Sequence, residues 1–304
     1  MLNPDLISKL IGKSVSEFHL LEGGRNNEVA SFLVDEMKLV CKQFSQKDKV
    51  DRFQREIAFL RYCSILNLSN TPKLISYYPE QDIILLGFVD GLRIEQVSWS
   101  FLEAFCDFLE QLNFSNFPNE AKKLPFAADA LLGKHTLSRD IRKRIESLNE
   151  IDSIEISMLV QRLNEIYLSI CNVKTFEGRL TDVYRYSPLD QTIIVSPSDV
   201  GIHNYIVTPK GPVFIDFEYA GLDSSIKLFF DLWTHPDLRL SEDHMHFIHS
   251  TLRGIFRFEL ESIDREILRI FAIKWSLIML KNIGSIKEVP KVIEYAGRHG
   301  LDIG

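Results

Sequence analysis

Two short runs of the 304-residue sequence hold side chains suited to metal-assisted chemistry at oxygen. The run "VSPSDVGIHNYIV" sets Asp199 five residues before Asn204, and "VFIDFEYAG" follows with Asp216 and Glu218. Carboxylate and amide oxygens are what a magnesium ion accepts when it keeps several of its waters. One more carboxylate can orient a hydroxyl for attack and receive its proton. Phosphoryl transfer needs these parts, together with cations and backbone dipoles around the phosphates. The spacing alone does not decide the matter, because an Asp after a β-branched run is also a common strand-ending turn residue.

For these residues to meet, two of them must sit on one hairpin. Residues 205–208 and 213–217 read as β-branched or aromatic strands joined by Pro209-Lys210-Gly211, and 192–195 as another short strand. Asn204 at the start of one strand and Asp216 at the end of its partner would then converge. This island interrupts a helical second half, with helices expected at about 127–148, 156–171, 241–253 and 264–281. A further helix is opened by the S-x-x-E pair Ser100 and Glu103 and carries Phe101, Phe105, Phe108 and Leu112 as its apolar face. The first ninety residues are strand-rich, at 18–21, 29–34, 38–44, 73–77 and 83–88, with turns at Gly23-Gly24 and Asp35-Glu36. One helix at about 51–63 breaks that run, where Phe53, Ile57 and Leu60 recur at helical spacing. A short helix with Asn3 as cap and Pro4 in its first turn precedes it all. The order implies an α+β fold of two lobes, an N-terminal antiparallel sheet lobe at 1–90 and a mainly helical lobe at 91–304, with a hinge near 87–91. Substrates are expected in the cleft such lobes form.

Taken in order, the motifs resemble the aminoglycoside phosphotransferase and choline kinase family, relatives of the protein kinases, from Leu20 to Trp233. "GGRNNEV" is similar to that family's phosphate loop, and the resemblance gives Gly23, Gly24 and Asn27 a place against nucleotide phosphates. "LVCKQF" puts Lys42 where the family keeps its phosphate-binding lysine, and "REIAFL" puts Glu56 where its partner stands. A lysine is a point charge on a flexible stem and would need such a carboxylate to hold it. "LLGFVDG" resembles the hinge, so the backbone of Gly87, Phe88 and Val89 would hold adenine. By the same resemblance Asp199 is the catalytic base, Asn204 and Asp216 bind magnesium with Glu218 as a further ligand, and Asp231 braces the catalytic loop. The implied cofactors are ATP and Mg2+, and the implied activity is transfer of the γ-phosphate to a hydroxyl. Where the family writes His-Gly-Asp, this sequence has Pro197-Ser198-Asp199.

A protein kinase needs an activation segment after its magnesium aspartate, yet Asp216 and Asp231 are only fifteen residues apart and no A-P-E follows. A small-molecule acceptor is therefore expected, met by Trp275 and some of Asp237, Glu242 and Asp243; acidic groups there suit an amino-bearing alcohol such as an aminoglycoside, choline or an amino sugar, and a neutral sugar is the other option. The altered catalytic loop also motivates another reading, a pseudokinase that binds nucleotide without transfer. His244, His246 and His249 raise a zinc reading, but no His-Glu-x-x-His pattern accompanies them, and His203 reads as a packing or loop residue. Thirty-five basic against 42 acidic side chains leave a formal charge of −7, which disfavours nucleic acid as a partner. The longest apolar stretches, 83–89 and 270–280, are short or broken by Lys274 and predict no membrane span. Four isolated cysteines, with no C-x-x-C pair, fit a reducing cytoplasm.

Overall fold

The computed structural model describes residues 1–21, 27–45, 51–114, 119–132, 134–172, 193–256 and 265–304. Five antiparallel strands form its main sheet: β1 (Ser16–Leu20), β2 (Asn27–Val34), β3 (Met37–Phe44), β4 (Leu74–Tyr78) and β5 (Ile83–Gly87), in the order β1-β2-β3-β5-β4. β2 and β3 are joined by Asp35 and Glu36, both at positive φ (48° and 66°), which matches the strand twist in a two-residue hairpin. Alternation sends Ala30, Phe32, Leu39, Cys41, Ile83 and Leu85 to one face. That face is covered by Ile7 of α1 (Pro4–Ile11), whose first turn is capped by the Asn3 side chain.

The helix α2 (Arg52–Ile65) is capped by Asp51 and packs along β4 and β5. The next helix, α3 (Trp99–Asn113), starts from Ser98 and not from Ser100: Phe101 donates its N–H to Ser98 Oγ at 3.2 Å. A capping residue needs extended backbone, which Ser98 has (φ −124°, ψ 161°), whereas Ser100 already lies inside the helix. Its apolar stripe is as expected: Phe101, Phe105, Phe108 and Leu112 are buried, with the Phe108 ring stacked on Phe214 at 4.6 Å.

The β island holds two small sheets. β6 (Leu92–Arg93), β8 (Tyr205–Thr208) and β9 (Gly211–Phe214) form one, and β7 (Ile193–Ser196) pairs with β10 (Gly221–Ser224). β9 ends at Phe214, earlier than the sequence suggested, so Asp216 lies beyond the hairpin strand. The expected helix from 127 also starts late. Residues 125–127 are extended instead, with Ala127 N–H bonded to Leu222 O and Leu222 N–H to Pro125 O, each at 2.8 Å. A Cβ on Gly221 would stand 2.3 Å from Pro125 O, so this approach of two backbones requires glycine.

Two compact units result: residues 1–129 with 195–222, and residues 130–194 with 223–304. The first holds the five-stranded sheet, α2, α3 and the β8–β9 hairpin. In the second, α8 (Arg265–Asn282) packs against α4 (Lys134–Leu148), α5 (Ile154–Cys171), α6 (Ser225–Thr234) and α9 (Val289–Arg298); α7 (Glu242–Phe256) packs on α6. Such an N-terminal antiparallel sheet with a mainly helical remainder is the two-lobed kinase-like arrangement. No described helix is long and apolar enough to cross a membrane.

Candidate functional site

The first unit brings together one lysine and three carboxylates. Lys42 lies on the central strand β3, paired with Val29 on one side and Ile84 on the other, and is 5% exposed. Its ammonium stands 2.7 Å from Glu56 Oε2, 2.5 Å from Asp216 Oδ1 and 3.3 Å from Glu218 Oε2. Burial alone would push this ammonium toward neutrality, but Glu56, Asp216 and Glu218 hold it well above the ordinary lysine range. Burial also drives the Glu56 carboxyl upward, against the pull of Lys42. Glu56 comes from α2, one residue before Ile57 and three after Phe53, so the helix stripe that buries those two carries Glu56 inward beside them.

Asp216 and Glu218 reach Lys42 because the chain changes course after β9. Ile215 donates the last rung of the hairpin to Asn204 O at 2.9 Å, and Asp216 then takes a left-handed φ of 65°. Aspartate tolerates that region better than bulky residues do. Between the two acids, Phe217 turns the other way and stacks on Phe59 of α2 at 4.5 Å. An aromatic anchor in the core thus leaves both carboxylates facing the lysine. Glu218 is 3% exposed and accepts a hydrogen bond from Asn27 Nδ2; Arg52 Nη1 lies 3.8 Å from its other oxygen. Glu56, Asp216 and Glu218 each offer an oxygen within 4.8 Å of the others. The Asp216 side chain is 42% exposed, so this cluster opens outward at one member.

Asn204 closes a 3₁₀ turn, Ile202–Asn204, and is 6% exposed; its Nδ2 has no hydrogen-bond partner among the described residues. Asp199 lies in the loop between that turn and β7. Its Oδ1 accepts the Gly201 N–H at 3.1 Å, and His203 Nε2 stands 3.4 Å from its Oδ2. The sequence read His203 as a packing or loop residue; it is a direct neighbour of the carboxylate, brought there by the 3₁₀ turn.

In the segment expected to form a hinge, Gly87 N–H is bonded to Lys73 O at 2.9 Å and Phe88 N–H to Lys38 O at 3.3 Å. Of Gly87, Phe88 and Val89, Val89 alone keeps a backbone N–H with no partner among the described residues. Gly23 and Gly24 lie outside the described residues. Arg52 was not singled out in the sequence. It sits one helical turn before Glu56 and packs over the Tyr219 ring at 5.0 Å, and the i, i+4 spacing from Glu56 was the signal available.

The second unit has its own buried charges. Asp231, which the resemblance assigns to bracing the catalytic loop, lies inside α6, whose cap is Ser224. Its Oδ2 meets Lys227 Nζ at 2.9 Å, and its Oδ1 meets Lys274 Nζ at 2.5 Å and the Trp275 indole N–H at 3.2 Å. Both oxygens are spent within α6 and α8. Trp275, expected at an acceptor site, also stacks edge-on against His235 at 4.5 Å. His244 closes the first turn of α7 with Ser241, and His249 packs against Phe229. A surface hollow of about 530 Å³, lined by Leu66, Leu68, Asp107, Glu110, Gln111 and Phe114, shares no residue with the lysine–carboxylate cluster.

No protein-family model matches the sequence, and no curated protein matches it. Solved structures do. A choline kinase from Streptococcus pneumoniae is 17% identical, with 98% of this chain and 96% of that one covered at a TM-score of 0.61. An ethanolamine kinase from Plasmodium vivax is 17% identical over 94% and 82% of the two chains, with a TM-score of 0.59. A spectinomycin phosphotransferase in complex with ADP and spectinomycin is 12% identical over 98% and 94%, with a TM-score of 0.61. At these identities the likeness establishes architecture: the chain has the kinase-like fold shared by choline kinases and aminoglycoside phosphotransferases.

Proposed function

We propose that the chain is an ATP- and magnesium-dependent phosphotransferase that moves a γ-phosphate onto a hydroxyl of a small molecule. One observation carries the reading: the buried Lys42 ammonium is bonded at once to Glu56 of α2 and to Asp216, which lies 174 residues away in sequence. Three weak sequence motifs thereby become one constellation. The kinase-like fold supports the same reading, as do nucleotide complexes among the similar structures.

In this reading Lys42 neutralises the α- and β-phosphates, with Glu56 fixing its flexible stem. Adenine is held by the Val89 backbone N–H, since Gly87 and Phe88 have already spent theirs. Gly23, Gly24 and Asn27 line the phosphates. Magnesium fits the donor set. The Asp216 carboxylate is partly exposed, Asn204 adds an amide oxygen next to the rung that sets Asp216, and both are hard oxygen ligands. Glu218 is the further ligand, its Oε2 being shared with Asn27 and Lys42. When bound, the ion neutralises charge on the phosphate oxygens. Asp199 orients the acceptor hydroxyl and takes its proton as the oxygen attacks the γ-phosphorus; the bond to the β-phosphate oxygen breaks and ADP leaves.

The acidic character of some of Asp237, Glu242 and Asp243, near Trp275 in the expected acceptor region, favours an amino-bearing alcohol. Similar structures include kinases of choline, ethanolamine and spectinomycin, which is consistent with that class. A reducing cytoplasm suits Cys41, Cys63, Cys106 and Cys171, none of which forms a disulfide among the described residues. The test is ADP release from magnesium-ATP over a panel of hydroxyl metabolites, with Asp199→Ala as control. We expect acceptor-dependent release in wild type and a loss of about 10²-fold or more in the variant. Equal release from both would leave the pseudokinase reading, which the Pro197-Ser198-Asp199 loop motivates.

A further inference from the structure

Pro197-Ser198-Asp199 forms an unusual turn. Asp199 donates its N–H to Pro197 O at 2.8 Å, a bond between residues two apart, and Ser198 at its centre has a φ of 66°. A γ-turn of this left-handed form is the rare and strained one, and a residue with a Cβ holds it only when its surroundings enforce it. The enforcing contact lies one residue upstream. Ser196, the last residue of β7, is fully buried, and its Oγ accepts the Ser198 N–H at 3.0 Å. Pro197 has no N–H to offer and a fixed φ, so the turn is fastened at the Ser198 and Asp199 amides. Downstream, Gly201 N–H closes on Asp199 Oδ1 at 3.1 Å. The bonds form a chain from the strand to the carboxylate: Ser196 sets Ser198, the strained turn sets the Asp199 backbone, and Gly201 sets its side chain.

We propose that Ser196 is a positioning residue for the transfer reaction, its buried hydroxyl holding the strained turn at Ser198 and thereby aiming Asp199 at the acceptor. This inference rests on Asp199 being the hydroxyl-orienting carboxylate. It predicts that the Ser198 side chain itself is dispensable, because only its N–H and its φ matter.

The test uses the full chain with magnesium-ATP, the acceptor found in the panel or water in its place, and ADP release as readout. Ser196→Ala should lower kcat by about tenfold, the weight of one lost positioning hydrogen bond, and leave KM for ATP within about twofold. Ser196→Thr, which restores a hydroxyl, should recover most of that loss. Ser198→Gly should keep kcat and raise Tm by about 2 °C, since glycine takes positive φ without strain. The decisive variant is the double Ser196→Ala/Ser198→Gly: with the strain gone, kcat should return toward wild type, which a merely structural role for Ser196 would not produce. Should Ser196→Ala fail to fold, Ser196→Cys, nearly the same in shape but a weak acceptor, should show the same kcat loss. A Ser196→Ala enzyme with kcat within twofold of wild type, while Asp199→Asn is inactive, overturns the positioning role and leaves the phosphotransferase reading standing. If Asp199→Asn turns over like wild type, or wild type does not turn over, both fall.

Discussion

Lys42 and Lys227 are both buried ammonium groups held by carboxylates, yet their surroundings differ in balance and in access. Around Lys42, one ammonium faces Glu56, Asp216 and Glu218, and the Asp216 side chain is 42% exposed. Around Lys227, two lysines face two aspartates: Lys227 meets Asp223 at 2.8 Å and Asp231 at 2.9 Å, and Lys274 meets Asp231. None of those four side chains is more than 3% exposed. A closed, charge-balanced cluster has nothing left to offer a ligand. An open cluster with excess carboxylate keeps negative charge accessible, and under the proposed function a divalent cation carrying phosphates would balance it. Arg52 near Glu218 offsets part of the excess without closing the opening at Asp216.

The largest effect should come from breaking the closed cluster. Asp231→Ala leaves two buried ammoniums with one carboxylate, and stability should fall by about 3–5 kcal/mol, read from denaturant unfolding. A loss under about 1 kcal/mol would show that water reaches this cluster after all. Asp216→Asn should do the opposite: magnesium-ATP turnover falls by about 10²–10³-fold while Tm holds. Collapse of Tm with turnover intact would reverse the assignment of the two clusters. Smaller in size, Lys42→Met leaves three carboxylates facing one another, and Mg2+ alone should stabilise that variant by about 1.4 kcal/mol at ten times its Kd. No metal-dependent gain in Tm beyond that of wild type would remove the cation-balancing argument.

The smallest effect concerns pH in the second unit. Burial alone would raise Asp231, but Lys227 and Lys274 hold it below the ordinary aspartate value, so it stays charged at neutral pH. His299 behaves differently: burial, helped by Arg298, lowers its imidazole from 6.5 to about 4. The unfolded chain then binds a proton that the folded chain refuses between those values. Stability conferred by neutral His299 is complete above pH 6.5 and should decline as pH falls toward 4. Partial exposure limits the effect to about 1 kcal/mol. His299→Gln should flatten the profile in that window, and an unchanged slope would assign the acid sensitivity elsewhere.

How much of this was legible in the sequence follows from whether the deciding force was local. Asn3 and Pro4 specify a helix start by chemistry within three residues, and the structure has it. The stripe Phe101, Phe105, Phe108 and Leu112 follows from helical period alone. Ser98 displaced Ser100 as cap because extended backbone, which no motif encodes, decides between two nearby serines. Residues 127–133 have an amphipathic pattern, but the hydrogen bonds of 125–127 to Leu222 claim the segment first, and those depend on a residue almost a hundred positions away. Lys42 and Glu56 were readable from strand and helix context. The left-handed turn at Asp216, the Asn27–Glu218 bond and the burial of Asp231 between two lysines were not, because each is set by packing around Phe217 or α8.

The first unit is assembled from two stretches, 1–129 and 195–222, with residues of the other unit between them. On the ribosome this has a price in time. The five-stranded sheet emerges first, with Lys42 and Glu56 buried beside a partner set that has not yet been made. At ordinary elongation speeds of roughly 5–20 residues per second, Asp216 follows Asp129 by about 4–17 s. Throughout that interval the nascent sheet lacks Phe217 under α2 and α3, and its charged pair lacks two carboxylates. A chain truncated between 130 and 215 should therefore be a client for chaperones.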